Sequence, residues 1–266
     1  MTILFQFDRA LYSGSRLLFR MVLGKQRRDD LFNKHHIVFN RFLFGDPIVE
    51  VNGIRAHARR NTDDYDILRD NAEEITRPHL TLNQGETFVD VGANIGRYTI
   101  EVALSHKSIP VQIVSIEAHP ETFKALQRNV RGCNKLSNTI LVNKAVSGRK
   151  RTVDFYELAG LSDFNSMYRK YGRKLVLEAD TLDNILEESG VRRADVVKID
   201  VEGAELDVLK GAPNTLQNTR KVIVEVHHTD LNDYGGFQKI QAALEEHGLR
   251  VTKLQSAFVF AVGERD

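Results

Sequence analysis

The chain has 266 residues, 42% of them hydrophobic and 27% charged, with a net charge of +1. That length and composition suit one sizeable core plus an appendage, and the near-neutral balance supplies no whole-chain field for nucleic acid. The single cysteine, Cys133, excludes an intramolecular disulfide framework and a cysteine-rich zinc site, and it suits a reducing, cytoplasmic location.

The amino-terminal stretch is the basic part of the chain. Arg9, Arg16, Arg20, Lys25, Arg27, Arg28, Lys34 and Arg41 stand there against Asp8, Asp29 and Asp30. Residues 3–23 put their apolar side chains on one broad helical face, with Arg9, Arg16 and Arg20 elsewhere. Such a helix can lie on an anionic membrane surface, fill a partner groove, or pack on its own domain or on a second subunit of a homo-oligomer. No apolar run approaches the ~20 residues needed to span a bilayer. No basic start followed by an apolar stretch and a small-residue cleavage site is present either, so neither a transmembrane helix nor secretion is expected.

Ile48 to Val51 and Ile54 to His57 flank Asn52-Gly53, a strong hairpin signal because both turn positions need positive φ. A helical stretch from Asp63 to Leu80 follows, closing an N-terminal extension (1–79) that precedes the main domain (80–266). The pattern then alternates. Short buried strands are expected at Phe88–Val91, Val111–Ile116, Ile140–Val142, Asp195–Ile199 and Val222–Val226. Helices are expected after the first strand through Ser105, at Pro120–Arg131, Thr181–Glu188, Ala204–Leu209 and Phe237–His247. An irregular, partly β insertion covers Val153–Leu177, and Arg250–Leu254 and Ala257–Val262 close the chain as antiparallel neighbours. The sum is a doubly wound α/β domain with a mostly parallel seven-stranded sheet, covered by helices on both faces.

The first strand runs into Asp90-Val91-Gly92-Ala93-Asn94-Ile95-Gly96, a glycine-bearing loop that opens a helix. It lies at the carboxyl edge, where doubly wound sheets bind ligands. Gly92 and Gly96 allow close backbone approach, and Asp90 puts a carboxylate where it can meet a cationic amino group. Glu117, closing the second strand, is placed to accept hydrogen bonds from both hydroxyls of a ribose. Asn94 replaces the middle glycine of G-x-G-x-x-G, which argues against a dinucleotide.

Downstream, Asp200 and Glu202 follow a buried strand and precede a helix, again at the ligand edge, while Glu225 and His227 share one face of the next strand's end. These groups suit a proton acceptor for an attacking hydroxyl, with His227 the natural general base near neutral pH. Asp200 and Glu225, with Glu202, also offer hard oxygen ligands to Mg²⁺. A capping role for Glu202 and a structural role for His227 stand as the alternatives.

These motifs together resemble the FkbM-type methyltransferases, within the class I, Rossmann-like methyltransferases. The likeness covers residues 80–230 and includes Asn143-Lys144-Ala145-Val146-Ser147, Thr181-Leu182-Asp183, Lys198 to Glu205 and Val224-Glu225-Val226-His227. It implies S-adenosylmethionine bound by Asp90, Gly92, Asn94, Gly96 and Glu117, with Ala145 near the adenine. It further implies methylation of a hydroxyl on a sugar, glycolipid or other small molecule, an acceptor that would give a membrane-surface helix a purpose. Ala118-His119-Pro120 departs from the family's usual Pro-Asn-Pro, which puts a side-chain contact from His119 in doubt. Polar groups at Asp163, Asn165, Ser166, Tyr168 and Tyr171 could grip a polyol. An RNA substrate is disfavoured, because Asp200-Val201-Glu202-Gly203 stands where base-methylating relatives carry an Asn- or Asp-Pro-Pro-aromatic turn. A non-catalytic cofactor-binding or structural subunit is the remaining alternative.

Overall fold

A computed structural model describes residues 48–51, 54–59, 62–69, 74–133, 136, 138–158, 161–168, 172–227, 236–255 and 259–265. The amphipathic helix expected over residues 3–23, the Asn52-Gly53 turn and Tyr171 lie outside the described residues. Among them, no helix is long and apolar enough to cross a membrane.

The central sheet contains β3 (Thr87–Val91), β4 (Gln112–Ile116), β5 (Thr139–Val142), β10 (Val196–Ile199), β11 (Lys221–Glu225), β12 (Arg250–Gln255) and β13 (Val259–Glu264). Their order is β12-β13-β11-β10-β3-β4-β5. The five strands from β11 to β5 are parallel, and β13 pairs antiparallel with both β11 and β12. Chain direction therefore turns outward from β3 on one side and β10 on the other, which makes the carboxyl ends of these two strands the switch point.

Period-two alternation sorts each strand's side chains into two cores. Phe88, Ile113, Val196 and Ile223 face one layer. It is built by α2 (Arg97–Ser105) and α3 (Pro120–Arg131). Val89, Val114, Val197 and Val222 face the other. There they meet α4 (Leu182–Glu188), α5 (Glu205–Lys210), α6 (Pro213–Asn218) and α7 (Gly236–Glu245). Parallel strands covered on both faces read as near-continuous apolar runs, as β3 and β10 do. Asp90 and Lys198 interrupt those runs, and both are buried.

Ahead of this domain, β1 (Ile48–Val51) and β2 (Ile54–His57) pair as the expected hairpin. Val49 and Ala56 join the α2–α3 core. Asn129 of α3 accepts the His57 N–H at 2.7 Å and donates to the Ile95 carbonyl at 2.9 Å, so the hairpin is tied to the glycine loop. The single helix expected over Asp63–Leu80 is instead α1 (Asp64–Arg69) and a 3-10 turn, Glu74–His79. Pro78 lacks an N–H and disfavours α geometry at Arg77, which accounts for the tighter turn.

The insertion is more regular than expected. β6 (Ala145–Val146), β7 (Arg151–Leu158), β8 (Leu161–Ser166) and β9 (Arg173–Asp180) form a second sheet in the order β6-β9-β7-β8. Val153 and Phe155 of β7 are buried while Thr152 and Asp154 are exposed, the alternation of a half-covered antiparallel sheet. Val176, 67% exposed on β9, hides that alternation in the sequence.

Candidate active site

The loop between β3 and α2 is shaped by its neighbours. The N–H groups of Gly92 and Ala93 donate to the Ile116 carbonyl at 3.0 and 2.9 Å, locking the loop to β4. Gly92 has φ 82, and a Cβ on it would lie 1.7 Å from the Asp200 carbonyl oxygen. Its glycine is therefore demanded by the adjacent β10 turn as well as by any ligand. Asn94 also lies in the left-handed region, with φ 48. Asparagine tolerates that conformation, so the loop does not need a middle glycine. Gly96, φ 96, begins α2, and a Cβ there would meet Leu126 at 2.8 Å.

Glu117 faces this loop from the end of β4. Its Oε2 accepts the Asn94 N–H at 3.0 Å and its Oε1 accepts the His119 N–H at 2.8 Å. Each oxygen keeps a second lone pair for a ligand hydroxyl. Burial raises the carboxyl to about 7, against the pull of those N–H groups and of Arg59. Asn143 donates to the carbonyls of Glu117 and Ala118 at 2.8 and 3.0 Å and holds the turn. His119 is turned to structural use: it caps α3 and its Nε2 pairs with Glu157 of β7.

Asp90 lies behind the loop, fully buried. Its Oδ2 accepts from Thr99 Oγ1 at 2.9 Å, and its Oδ1 has no hydrogen-bond partner among the described residues. Burial raises this carboxyl to about 6, opposed chiefly by the charge of Lys198. The cation facing Asp90 in the structure is thus a lysine of the neighbouring strand.

Gly92, Asn94, Glu117, Ala145, Asp200 and Glu202 line one cleft at the carboxyl ends of β3 and β4, walled by Ala118, Phe155, Asn165 and Met167. Asp90 and Gly96 support it from behind without lining it. A larger concavity of about 500 Å³ opens beside Glu86, Gln112 and Asp195 at the opposite strand ends. It contains none of the expected site residues and lies at the edge that doubly wound sheets do not use for ligands.

His227, beyond β11, is ringed by carboxylates. Its Nδ1 donates to Glu205 Oε1 at 2.8 Å. Its Nε2 lies 3.4 Å from Glu202, 3.4 Å from Glu225 and 3.9 Å from Asp200. Burial alone would lower the imidazole's pKa, but the bonds to Glu205 and Glu225 and the charges of Asp200 and Glu202 raise it to about 11. This surrounding favours the imidazolium form of His227 over a base poised near neutrality. Asp200 is pushed up by burial, yet Lys198 and His227 hold it below the usual carboxylate range. Burial and the nearby Asp200 charge push Glu225 up.

The magnesium expectation changes in its ligands. Asp200, Glu202 and His227 bring ligand atoms within 4.8 Å of one another, whereas Glu225 is not part of that set. An imidazole among two carboxylates suits zinc or iron better than magnesium.

Four contributors were not expected from the sequence. Lys198, buried, donates to Asp200 Oδ2 at 2.7 Å and lies 4.1 Å from the Tyr98 ring centre. A lone lysine inside Val196-Val197-Lys198-Ile199 is the signal that could have found it. Glu205, rather than Glu202, braces the turn by accepting the Gly203 N–H at 2.9 Å. Phe155 and Met167 come from the insertion, where nothing local marks them.

The family model described as the methyltransferase FkbM domain matches residues 90–251. The chain is 28% identical over 226 residues to the hexuronic acid methyltransferase AglP of Haloferax volcanii, covering 82% of this chain and 88% of that one. It is 25% identical over 209 residues to the 31-O-demethyl-FK506 methyltransferase FkbM of Streptomyces tacrolimicus, covering 67% and 78%. The crystal structure of an FkbM methyltransferase from Methylobacillus flagellatus aligns with TM-score 0.54 at 16% identity, over 73% of this chain and 48% of that one. At that identity the likeness speaks for the fold alone, and this chain spans about half the length of that solved chain.

Proposed function

Since the chain belongs to the FkbM methyltransferase family and is an S-adenosylmethionine-dependent methyltransferase, we propose that it methylates a hydroxyl oxygen of a sugar, glycolipid or other small-molecule acceptor. The observation that carries this reading is the single cleft joining Glu117 to Asp200 and Glu202. It sets a carboxylate suited to a ribose diol beside carboxylates suited to an attacking hydroxyl. The relative named for a hexuronic acid supports a carbohydrate acceptor, and the one named for a demethylated oxygen supports transfer to oxygen.

The residues present fit the donor. Glu117 offers two anchored oxygens to the ribose hydroxyls, Ala118, Ala145, Phe155 and Met167 give the adenine an apolar slot, and the unpartnered Asp90 Oδ1 lies beneath the loop. When bound, S-adenosylmethionine supplies an electrophilic methyl carbon on a sulfonium. The chain's own task is to align the acceptor oxygen in line with that carbon and to take its proton. As the new C–O bond forms, the hydroxyl proton becomes strongly acidic, so a carboxylate of ordinary basicity is a sufficient acceptor. We assign that role to Glu202, with Asp200 held ionised by Lys198 and with the His227 imidazolium orienting both. A divalent ion on Asp200, Glu202 and His227, bound with loss of the imidazolium's Nε2 proton, would polarise the acceptor oxygen instead. Activity that survives exhaustive EDTA treatment removes that addition.

The test is tritium transfer from methyl-labelled S-adenosylmethionine into fractionated cell extract. Label in a carbohydrate, glycolipid or small-molecule fraction is expected. Label in RNA overturns the acceptor, and cofactor binding with no transfer to any fraction overturns the enzyme.

A further inference from the structure

Asn165, near the end of β8, lines the cleft beside Met167 and the loop that carries Asp200 and Glu202. Its Oδ1 accepts the Leu158 N–H at 3.0 Å across the β7–β8 hairpin. That bond fixes which way the amide is turned and leaves its NH₂ donors without a partner among the described residues. The next residue ties the strand to the reaction loop: Ser166 Oγ donates to the Glu202 carbonyl at 2.6 Å and accepts the Tyr168 N–H at 3.0 Å. The Asn165 amide and the carboxylates of Asp200 and Glu202 therefore line one cleft. On the acceptor side, Asp200 gives its Oδ2 to Lys198, while its Oδ1 is 3.9 Å from the nearest His227 nitrogen and open to a ligand hydroxyl.

We propose that Asn165, Asp200 and Glu202 form an acceptor subsite for an uncharged polyol, with Asn165 the residue that sets specificity. One hydroxyl oxygen accepts from the Asn165 amide while its neighbour donates to a carboxylate, the pattern that a vicinal diol presents. A carboxylate or phosphate on the acceptor, such as a hexuronic acid carries, would meet Asp200 and Glu202, whose neighbouring cations, Lys198 and His227, are already paired with them. Lys144, the lysine lining the described part of the cleft, is engaged by Glu188 at 2.8 Å and Asp180 at 3.5 Å. The subsite rests on the methyltransferase reading above, and it adds both the charge class of the acceptor and a residue that reads it.

The test uses the full-length protein with methyl-tritiated S-adenosylmethionine and a cell extract split by anion exchange into neutral and acidic glycan fractions. Cofactor affinity is followed in parallel by calorimetry. Label is expected in the neutral fraction. Asn165→Asp keeps the oxygen that accepts from Leu158 and removes the donors. It should lower transfer roughly tenfold or more, because a site built to hydrogen-bond a hydroxyl discriminates strongly once that bond is lost. Cofactor affinity should stay within about twofold, since the donor contacts are elsewhere. Asn165→Ala, checked for an unchanged melting temperature, should show the same split. Label in the acidic fraction, transfer at the wild-type rate in both variants, or equal loss of cofactor affinity and transfer each overturn the subsite. Failure of the wider reading looks different: the wild-type protein would then bind no cofactor or label neither fraction.

Discussion

The two halves of the cleft are built by different means. On the donor side, backbone does most of the shaping: Gly92 and Asn94 adopt positive φ, and the Asn94 and His119 N–H groups aim Glu117. On the reaction side, charge does it: four carboxylates converge on His227, and a buried lysine holds one of them. Backbone demands fall on short contiguous stretches, the Gly92–Gly96 loop and to a lesser extent the Glu202-Gly203 turn, whereas a charge cluster can be assembled from anywhere. The loop after β10, the start of α5 and the end of β11 each contribute here. Donor binding should therefore fail through geometry, and methyl transfer through electrostatics.

The largest effect should come from filling the close approach between the halves, where Gly92 meets the Asp200 carbonyl. Gly92→Ala would drive a methyl group into the Asp200 carbonyl, so cofactor binding should be abolished in calorimetry. Thermal unfolding should show a loss of about 3 kcal/mol or more, from steric overlap and a strained φ together.

His227→Gln separates the halves instead. Transfer should fall on the order of 10²- to 10⁴-fold while cofactor affinity stays near wild type, the signature of a group that serves the transition state. The variant also alters stability against pH. The imidazole's pKa is raised from 6.5 to about 11 on folding, so its contribution is fully present below 6.5 and is lost as pH rises through about 11. Wild-type melting temperature should fall across that window, and the variant should lack the decline. Identical slopes would show that the carboxylate ring does not hold a proton on His227.

Glu117→Gln probes the donor side alone. Both carboxylate oxygens accept backbone N–H groups, so the amide's NH₂ must face a donor, and cofactor affinity should drop about tenfold. The wild-type carboxyl titrates at about 7, so affinity should rise between pH 6 and pH 8 as it ionises. That rise should be absent from the variant. Ser166→Ala, which cuts the bond from β8 to the Glu202 carbonyl, is the mildest: about 1 kcal/mol in stability, with transfer reduced more than cofactor affinity.

The same contrast explains what was legible in the sequence. The parallel strands and the Gly92–Gly96 loop could be read because apolar runs and positive-φ positions leave local marks. Gly92, Asn94, Glu117 and Ala145 were accordingly found, and they line the cleft. Asp200, Glu202, Glu225 and His227 were found as strand-end polar groups, but the charge state of His227 was not. It depends on Glu205 and on three carboxylates brought together only by folding. The α6 helix escaped for a similar reason. Its N–H groups at Asn214 and Thr215 are capped by Asp183, a residue of α4. The β7–β9 pairing, and with it Phe155 and Met167, was obscured by an exposed Val176 on a strand whose inward positions are otherwise apolar.

The most direct measurement is isothermal calorimetry of S-adenosylmethionine with the wild-type protein at pH 8, repeated with Glu117→Gln. One site per chain with micromolar affinity in the wild type and about tenfold weaker binding in the variant is the expected result. Absence of binding to the wild-type protein, or binding indifferent to Glu117, would contradict a donor held at the carboxyl ends of β3 and β4.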